Sequence, residues 1–575
     1  MSKGNAEDLK RQSRHLRGTI AGELASSASH LSDAAAALLK FHGSYQQDDR
    51  DLRQERLRDK RDKEWIFMVR SKIPGGALTA AQYLVHDRIC GELGNGTLRI
   101  TSRQGLQTHG VIKGHLKTVI QRINASGITT WGACGDVVRN CMATPEPLAD
   151  EPHRAVQTLA RELATTFAAA SHAYSEIWLD GEKVSPGQET EPIYGEAYLP
   201  RKFKFGIAVP PRNDIDVLSN DVGIAALVDG GRLTGYSVWA GGGMGMTHGK
   251  EGTFPALALP LFSVDPGQIV DACVAIVTTQ RDFGGRSDRK HARLKYLIAD
   301  RGLDWFRAEV TSRMRAKPRE FVPVTWTSVQ DRLGWHGQGD GRLFLGLWVQ
   351  DGRIKDNAEG RYRTGLRLIA ERFGRPLRLT ANCNLYLHDI EPAQRPEIDA
   401  VLADHGIVHA EGFTEAKKVA MACVALPTCG LALAESERAF PELFGEIDRV
   451  LRDLGLEREQ ILVRMTGCPN GCARPYNADF GIVGRSPGKY ALYIGGSHTG
   501  ERLAGLLHRT VEAGDIPGLV RACLEQFVAG RRPGESFSTW WGRTQLQGEA
   551  PTPEQFHEEL AERAKRLAGS RAEAE

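Results

Sequence analysis

Four cysteines in one short window are the residues best suited to chemistry. Cys423 and Cys429 flank "VALPT", and Cys468 and Cys472 flank "PNG" in the stretch "TGCPNGCARPY". Thiolates drawn from two loops suit a metal centre that takes four soft ligands. Structural zinc is one such centre, but zinc ribbons close through tighter knuckles, and the gaps holding Pro427 and Pro469 fit a larger iron-sulfur cubane better. Radical chemistry on S-adenosylmethionine needs a third cysteine just beyond Cys472, where residue 475 is proline. Spacing alone leaves zinc and cluster both open.

Cations supply the second chemistry. Read as one strand, "LRITSRQGLQTHG" (98–110) alternates to set Arg99, Thr101, Arg103, Gln107 and His109 on one face. The stretch "LRLTANCNLYLHD" (377–389) repeats that pattern with Arg378, Thr380, Asn382, Asn384, Tyr386 and His388. One polar strand face is ordinary solvated sheet, whereas two, rich in arginine and fork-shaped donors, read as the lining of a polyanion site. "LPRKFKFGIAVPP" adds Arg201, Lys202 and Lys204, with both lysines opposite Phe203 and Phe205. Neighbouring ammonium groups repel unless an anion lies between them; the competing explanation is edge lysines that block aggregation. "TTQRDFGGRSDRKHARLKYL" contributes further cations, Arg293 and Lys295 among them. The glycine-rich "WAGGGMGMTHGKEG" would admit an anion to its backbone amides, but it is no P-loop, because Glu251 follows Lys250.

A chain of 575 residues, 41% hydrophobic and 25% charged, must position these groups with three or four packed domains. The net charge of +3, from 74 basic and 71 acidic residues, argues against general attraction to nucleic acid or membrane. No apolar run approaches the roughly 20 residues of a membrane span, and the charged N-terminus lacks a signal-peptide core, so the cytoplasm is the expected compartment. Cys90, Cys134, Cys141, Cys273, Cys383 and Cys523 are scattered singly, as small core residues are. Residues 1–65 read as a charged helical arm with too little apolar surface for its own core, suited to docking a partner polypeptide. The ungapped match of 98–110 with 377–389, each after a helix, points to an internal duplication about a pseudo-two-fold axis. Mixed α/β blocks follow each copy. In the later one, "PELFGEIDRVLRDLGL" sets Leu443, Phe444, Ile447, Val450, Leu451 and Leu454 on one helical face.

Together, "ACVALPTCGLALAESER" and "TGCPNGCARPY" resemble the signature of sulfite and nitrite reductases that couple sirohaem to a 4Fe-4S cluster. "FHGSYQQDDRD", "IPGG", "LRITSRQGLQTHG", "SEIWLDGEKV", "YLPRKFKFGIAVPPRNDIDV", "TTQRDFGGRSDRK" and "LTANCNLYLHDI" look like successive landmarks of that family's haemoprotein (beta) subunits of assimilatory NADPH sulfite reductase. The resemblance runs from about residue 12 to 535 and leaves the last forty residues outside it. It implies an α+β fold: ferredoxin-like halves at 66–133 and 333–410, and α/β domains at 134–332 and 411–575, around a central cofactor site. It also implies that all four cysteines bind the cluster, with Cys472 bridging to the sirohaem iron. Arg99, Thr101, Arg103, Gln107, His109, Arg201 and Arg293 would hold the sirohaem carboxylates, while Arg70, Arg139, Lys202 and Lys204 would face sulfite and supply protons. The implied reaction is six-electron reduction of sulfite to sulfide. Lys204 favours sulfite over nitrite, because nitrite-specific relatives tend to carry asparagine there. The implied donor is a flavoprotein with FAD and FMN, with ferredoxin as the alternative; a zinc- or cluster-bearing nucleic-acid-binding protein is a remote third reading. Departures from the pattern are Gly135, "RSKIPGG" in place of "RCRLPGG", and the C-terminal tail.

Overall fold

The computed structural model describes residues 6–170, 177–179, 182–184, 191–545, 552–553 and 555–565. The landmark "SEIWLDGEKV" and the tail beyond 546 therefore lie partly outside the described residues.

Two five-stranded sheets form the duplicated halves. One runs in the order Ser44–Asp48, Trp65–Arg70, Leu106–Val111, Leu98–Ile100, Arg353–Ile354; the other runs Gly334–Gly337, Leu343–Leu347, Leu385–Ile390, Leu377–Leu379, Ala77–Leu78. The last strand of each comes from the other half, so the halves are interlocked across the pseudo-two-fold axis. Gly76 and Gly352 make the crossing possible. Both have positive φ, and a Cβ on either would sit 2.3 Å from Leu379 O or 2.5 Å from Ile100 O of the opposite half. Helix Ala80–Leu93 starts at a capping box in which Thr79 Oγ1 accepts from Gln82 N and Gln82 Oε1 accepts from Thr79 N. It packs on its counterpart Tyr362–Phe373, where Arg363 Nε donates to Asp87 Oδ1 at 2.7 Å.

The segment 98–110 is a hairpin rather than the single strand expected from its alternation. Leu98–Ile100 pairs antiparallel with Leu106–Val111 around a tight turn with Gln104 at φ 51°. Leu98, Ile100 and Leu106 are all even-numbered, so the apolar phase is the same on both sides of polar Ser102 and Gln104 and conceals the turn. The second copy turns at the matching residue, Cys383, with φ 68°. The ungapped alignment thus holds through the turn.

The other two sheets also match each other. Met142–Ala143, Phe205–Ala208, Val222–Asp229, Arg232–Ala240 and Leu259–Val264 are joined by two parallel and then two antiparallel pairings. Met421–Ala422, Val463–Thr466, Phe480–Ser486, Lys489–Ile494 and Gly505–Glu512 repeat that topology. Helix Phe440–Asp453 buries Leu443, Phe444, Ile447, Val450 and Leu451, the face its periodicity predicts. The N-terminal segment lacks a core of its own but does not hang free. Leu16, Leu31, Leu38, Leu39 and Phe41 enter the main core, and Ser44–Asp48 forms an edge strand. Helix Arg53–Arg58 buries nothing and keeps its charged surface exposed.

Candidate functional site

The two neighbouring parallel strands Met421–Ala422 and Val463–Thr466 lead, at their C-terminal ends, into the loops that carry Cys423 and Cys468. Such ends are where open sheets place ligands. Cys423 N donates to Met465 O at 3.1 Å and pins the two loops together. Sulfurs of this set already receive hydrogen bonds: Gly467 N reaches Cys423 Sγ at 3.4 Å and Asn470 Nδ2 reaches Cys468 Sγ at 3.4 Å. Burial, and next the charge of Cys472, raises the pKa of Cys423 and Cys429 and pushes Cys468 up to about 12. All three therefore lie within electrostatic reach of Cys472, which is itself exposed. Bare thiolates are unfavourable here, so the set calls for metal charge to offset them. Among the described residues, no three His, Cys, Asp or Glu side chains converge on a point where a single ion would sit. A cluster holds its thiolates on separate iron corners and does not need that convergence, so the donor set fits 4Fe-4S.

Cys472 opens into a cleft lined also by Ser102, Arg103, Lys202, Lys204, Arg293 and Arg474, with no carboxylate in its wall among the described residues. Lys202 and Lys204 immediately precede the strand Phe205–Ala208, and alternation turns both away from buried Phe203 and Phe205. Neither ammonium has a hydrogen-bond or ion-pair partner among the described residues. Burial, then Arg201, Arg293 and Arg139, lowers Lys202 to about 7, against the opposing charge of Cys472. Burial, then Arg103, Lys202 and Arg293, drives Lys204 well below the ordinary lysine range. Burial brings Arg103 down to about 9, and its Nε is buried without a hydrogen-bond partner. Two unpaired ammonium groups and an orphaned guanidinium Nε, beside arginines already partnered by Asp216 and Asp221, fit a polyanionic group, as sirohaem is.

Lys202 carries a testable cost. The unfolded chain keeps this proton up to about pH 10.5, whereas the folded chain releases it near 7. The unfolded state thus binds more protons across that window. The penalty is full below pH 7 and fades as pH rises towards 10.5. In cofactor-free protein, Lys202→Met should therefore melt higher than wild type by the widest margin near pH 6, and the margin should narrow by pH 9. Calorimetry at both pH values checks this; a margin independent of pH would contradict it.

The remaining expected residues divide into two groups. Arg70 donates to Cys134 Sγ at 3.0 Å and, from Nε, to the side-chain amide oxygen of Gln107 at 3.1 Å once that amide is oriented to accept. Arg139 donates to Gly135 O at 2.7 Å and Arg201 lies 3.7 Å from Asp136, both near enough to Lys202 to shift it. Arg293 lines the cleft while clamped on Asp221 through two bonds of 2.9 and 2.7 Å. Arg70, Arg139 and Arg201 are not in the cleft wall, and neither are Arg99, Thr101, Gln107 and His109, expected at the cofactor. Arg99 is committed to Glu437 and to Ala422 O, and Thr101 Oγ1 accepts from Arg103 N and Gly105 N inside the turn. His109 is buried near Arg353, where burial and that guanidinium hold its pKa well below the usual histidine value.

Several site residues escaped sequence reasoning. Asn470 and Arg474 belong to the quoted cysteine stretch and were legible there as polar neighbours. The pairing of Asp216 with Arg464 and Arg474 had no local signal. The glycine-rich loop places Met244 and Gly245 in the cleft wall, and Lys295 pins it through Gly243 O at 2.9 Å and Gly245 O at 2.7 Å.

A family model described as the nitrite/sulfite reductase ferredoxin-like half domain matches twice, at 58–126 and 336–405. That double match coincides with the interlocked halves. A second, the nitrite and sulphite reductase 4Fe-4S domain, matches 160–318. A Methylobacterium nodulans protein is 45% identical over 96% of this chain and 92% of its own length. The chain belongs to the nitrite and sulfite reductase family. That relative is named sulfite reductase (NADPH) hemoprotein beta-component, as are proteins of Staphylococcus saprophyticus (42% identical, covering 96% of this chain and 97% of that one) and Myxococcus xanthus (43%, covering 95% and 97%). The solved structure of Mycobacterium tuberculosis NirA protein has the same fold, with a TM-score of 0.76 at 24% identity over 94% of this chain and 97% of that one. Of the ten cysteines only Cys273 falls within 160–318, buried in a helix. In this member of the family, the candidate cluster ligands therefore come from the later, topologically matching block.

Proposed function

We propose that this chain is the haemoprotein component of a sulfite reductase, carrying out six-electron reduction of sulfite to sulfide with sirohaem and a 4Fe-4S cluster as cofactors. The observation that carries the reading is the cleft in which exposed Cys472 faces unpaired Lys202 and Lys204, flanked by Arg103 and Arg293. Cys423, Cys429, Cys468 and Cys472 would hold the cluster, and Cys472 would also serve the sirohaem. When bound, the coupled pair would supply the electrons for the reduction. The chain's own residues do the rest. Arg103 and Arg293 neutralise the carboxylates of the macrocycle, Arg201 adds a more exposed contact, and Arg99, Thr101, Gln107 and His109 stiffen the wall from behind. Arg70, Arg139, Lys202 and Lys204 hold the sulfite oxygens. Lys202 and Lys204, whose ammonium protons burial and neighbouring cations loosen, give up protons as oxygen departs as water.

The name shared by the relatives, a beta-component, calls for a partner subunit that supplies electrons. We assign that partner to an FAD/FMN flavoprotein, with ferredoxin as the alternative. Electrons enter beside half-buried Cys429, whose loop carbonyls at 429 and 432 are gripped by Arg50 of the N-terminal segment. No helix of the described residues is long and apolar enough to cross a membrane. We assign the protein to the cytoplasm, where cysteines stay reduced and so available to a cluster.

Lys204→Met should lower kcat for sulfite, measured with reduced methyl viologen, by about 10²- to 10⁴-fold, the usual worth of a positioned acid. Its red chlorin absorption band should persist. Wild-type turnover in the variant would remove the role of Lys204, and a colourless wild-type preparation would overturn the cofactor assignment.

A further inference from the structure

The C-terminal tail is the part of the chain that the site leaves unexplained, and it sits against the cysteine loop. Phe556 is 1% exposed. Its ring stacks on Tyr493 at 5.3 Å and meets Tyr476 edge-on at 5.5 Å. Tyr476 in turn donates its hydroxyl proton to Pro469 O at 3.0 Å, between Cys468 and Cys472. The same carbonyl accepts from Met246 N at 3.0 Å, which joins the cysteine loop to the glycine-rich loop of the cleft wall. Met244, Met246, Tyr476, Tyr493, Leu506 and Phe556 form one small buried cluster, separate from the main core. The next tail residue, His557, donates from Nε2 to Thr253 O at 2.8 Å at the far end of the glycine-rich loop. Beyond it, Glu559 Oε1 accepts from Arg509 N at 2.6 Å and anchors the tail to the last strand of the sheet.

We propose that Phe556 and His557 are positioning residues for the cluster. The tail closes over the Cys468–Cys472 loop and the glycine-rich loop and holds them in register, so that Cys472 keeps its place at the cleft. Phe556 acts through Tyr476 on Pro469, and His557 acts through Thr253 on the loop carrying Met244 and Gly245. The inference rests on the assignment of the cluster to Cys468 and Cys472. Phe556 packs on this cluster from outside the sheet that supplies Tyr493 and Leu506, so trimming it need not unfold the domain.

The test compares holoenzyme carrying Phe556→Ala, Phe556→Leu or His557→Ala with wild type. Two rates are read: release of iron to a chelator, and hydrogen exchange at the amides of Met246 and Ala504. Ala504 N donates to Tyr476 O at 2.7 Å and so reports the same loop. Expected are about 10- to 100-fold faster iron release in Phe556→Ala, the range usual for groups that orient metal ligands, and a shifted electron paramagnetic resonance signal of the reduced cluster. Phe556→Leu should recover part of the loss. Met246 and Ala504 should exchange at least about tenfold faster, with the amides of Val222–Ala240 unchanged. Unaltered iron release and exchange would overturn the proposal, as would equal acceleration throughout the protein. If Phe556→Ala does not fold, His557→Ala decides by the same measures. If wild-type protein binds no cluster, the functional assignment fails, and the exchange comparison still decides whether the tail holds the loops.

Discussion

Cys472→Ser should abolish sulfite turnover while leaving the polypeptide folded. The side chain is exposed in the cleft, so its loss removes no core packing, and cofactor-free variant and wild type should differ by no more than about 0.5 kcal/mol. Turnover should fall by at least about 100-fold, the upper end of what changes outside the ligand shell cost at metal sites, because on the proposed assignment a ligand itself is lost. A serine hydroxyl stays protonated at neutral pH and is a poor ligand for iron. The control is Cys523→Ser, a buried thiol of the helix Ile516–Gly530 remote from the cleft, which should retain both colour and activity. Full activity in Cys472→Ser, measured with reduced methyl viologen alongside the visible spectrum, would refute the shared-thiolate role.

The second large effect falls on stability. Asp216 is 1% exposed and accepts from Arg464 Nη1 at 2.7 Å, from Arg474 Nε, and from Asn477 Nδ2 at 3.1 Å. Burial pushes its pKa up, but Arg464 and Arg474 outweigh burial and hold the carboxyl below the usual range. Asp216→Ala strands two buried guanidinium groups without their counter-charge, which costs about 3–5 kcal/mol. Because the folded pKa lies below the unfolded one, this contribution is fully present above the ordinary aspartate range and is lost only as pH falls through the folded value. The variant should thus melt well below wild type at pH 7 and approach it in strong acid. Adding Arg464→Met should restore part of the loss, since removing both partners is far less costly than removing one. An unchanged melting curve for Asp216→Ala at pH 7 would show that the network adds nothing. Arg474 also lines the cleft and donates to Asn382 Oδ1 at 3.0 Å, so the same variant should weaken cofactor retention.

Much of the site was legible because its signals are local. The alternation that places Lys202 and Lys204 together, the helical period of Leu443 to Leu451, and the ungapped match between 98–110 and 377–389 all arise within a dozen residues. Where the reading failed, it did so for a physical reason. Leu98, Ile100 and Leu106 keep the same even phase on either side of polar Ser102 and Gln104, so a hairpin looked like one long strand. Arg103 then belongs to the turn and reaches Asn220 and Phe205 O, whereas Arg99 points to Glu437. Both arginines looked alike in sequence because alternation says which side a residue faces, not which charge waits there.

By itself, then, the amino-acid sequence determined the candidate four-thiol set, the excess of cations around it and the duplicated frame, since residue type and short-range geometry suffice for these. Only the tertiary structure decided which cations stay unpaired in the cleft and which are neutralised by Asp216, Asp221 or Glu437. It alone decided the strand exchange at 77–78 and 353–354, and the closing of the tail over Tyr476. Each of these depends on partners dozens to hundreds of residues apart, and a charge buried in a folded protein takes its character from the neighbour that packing brings to it.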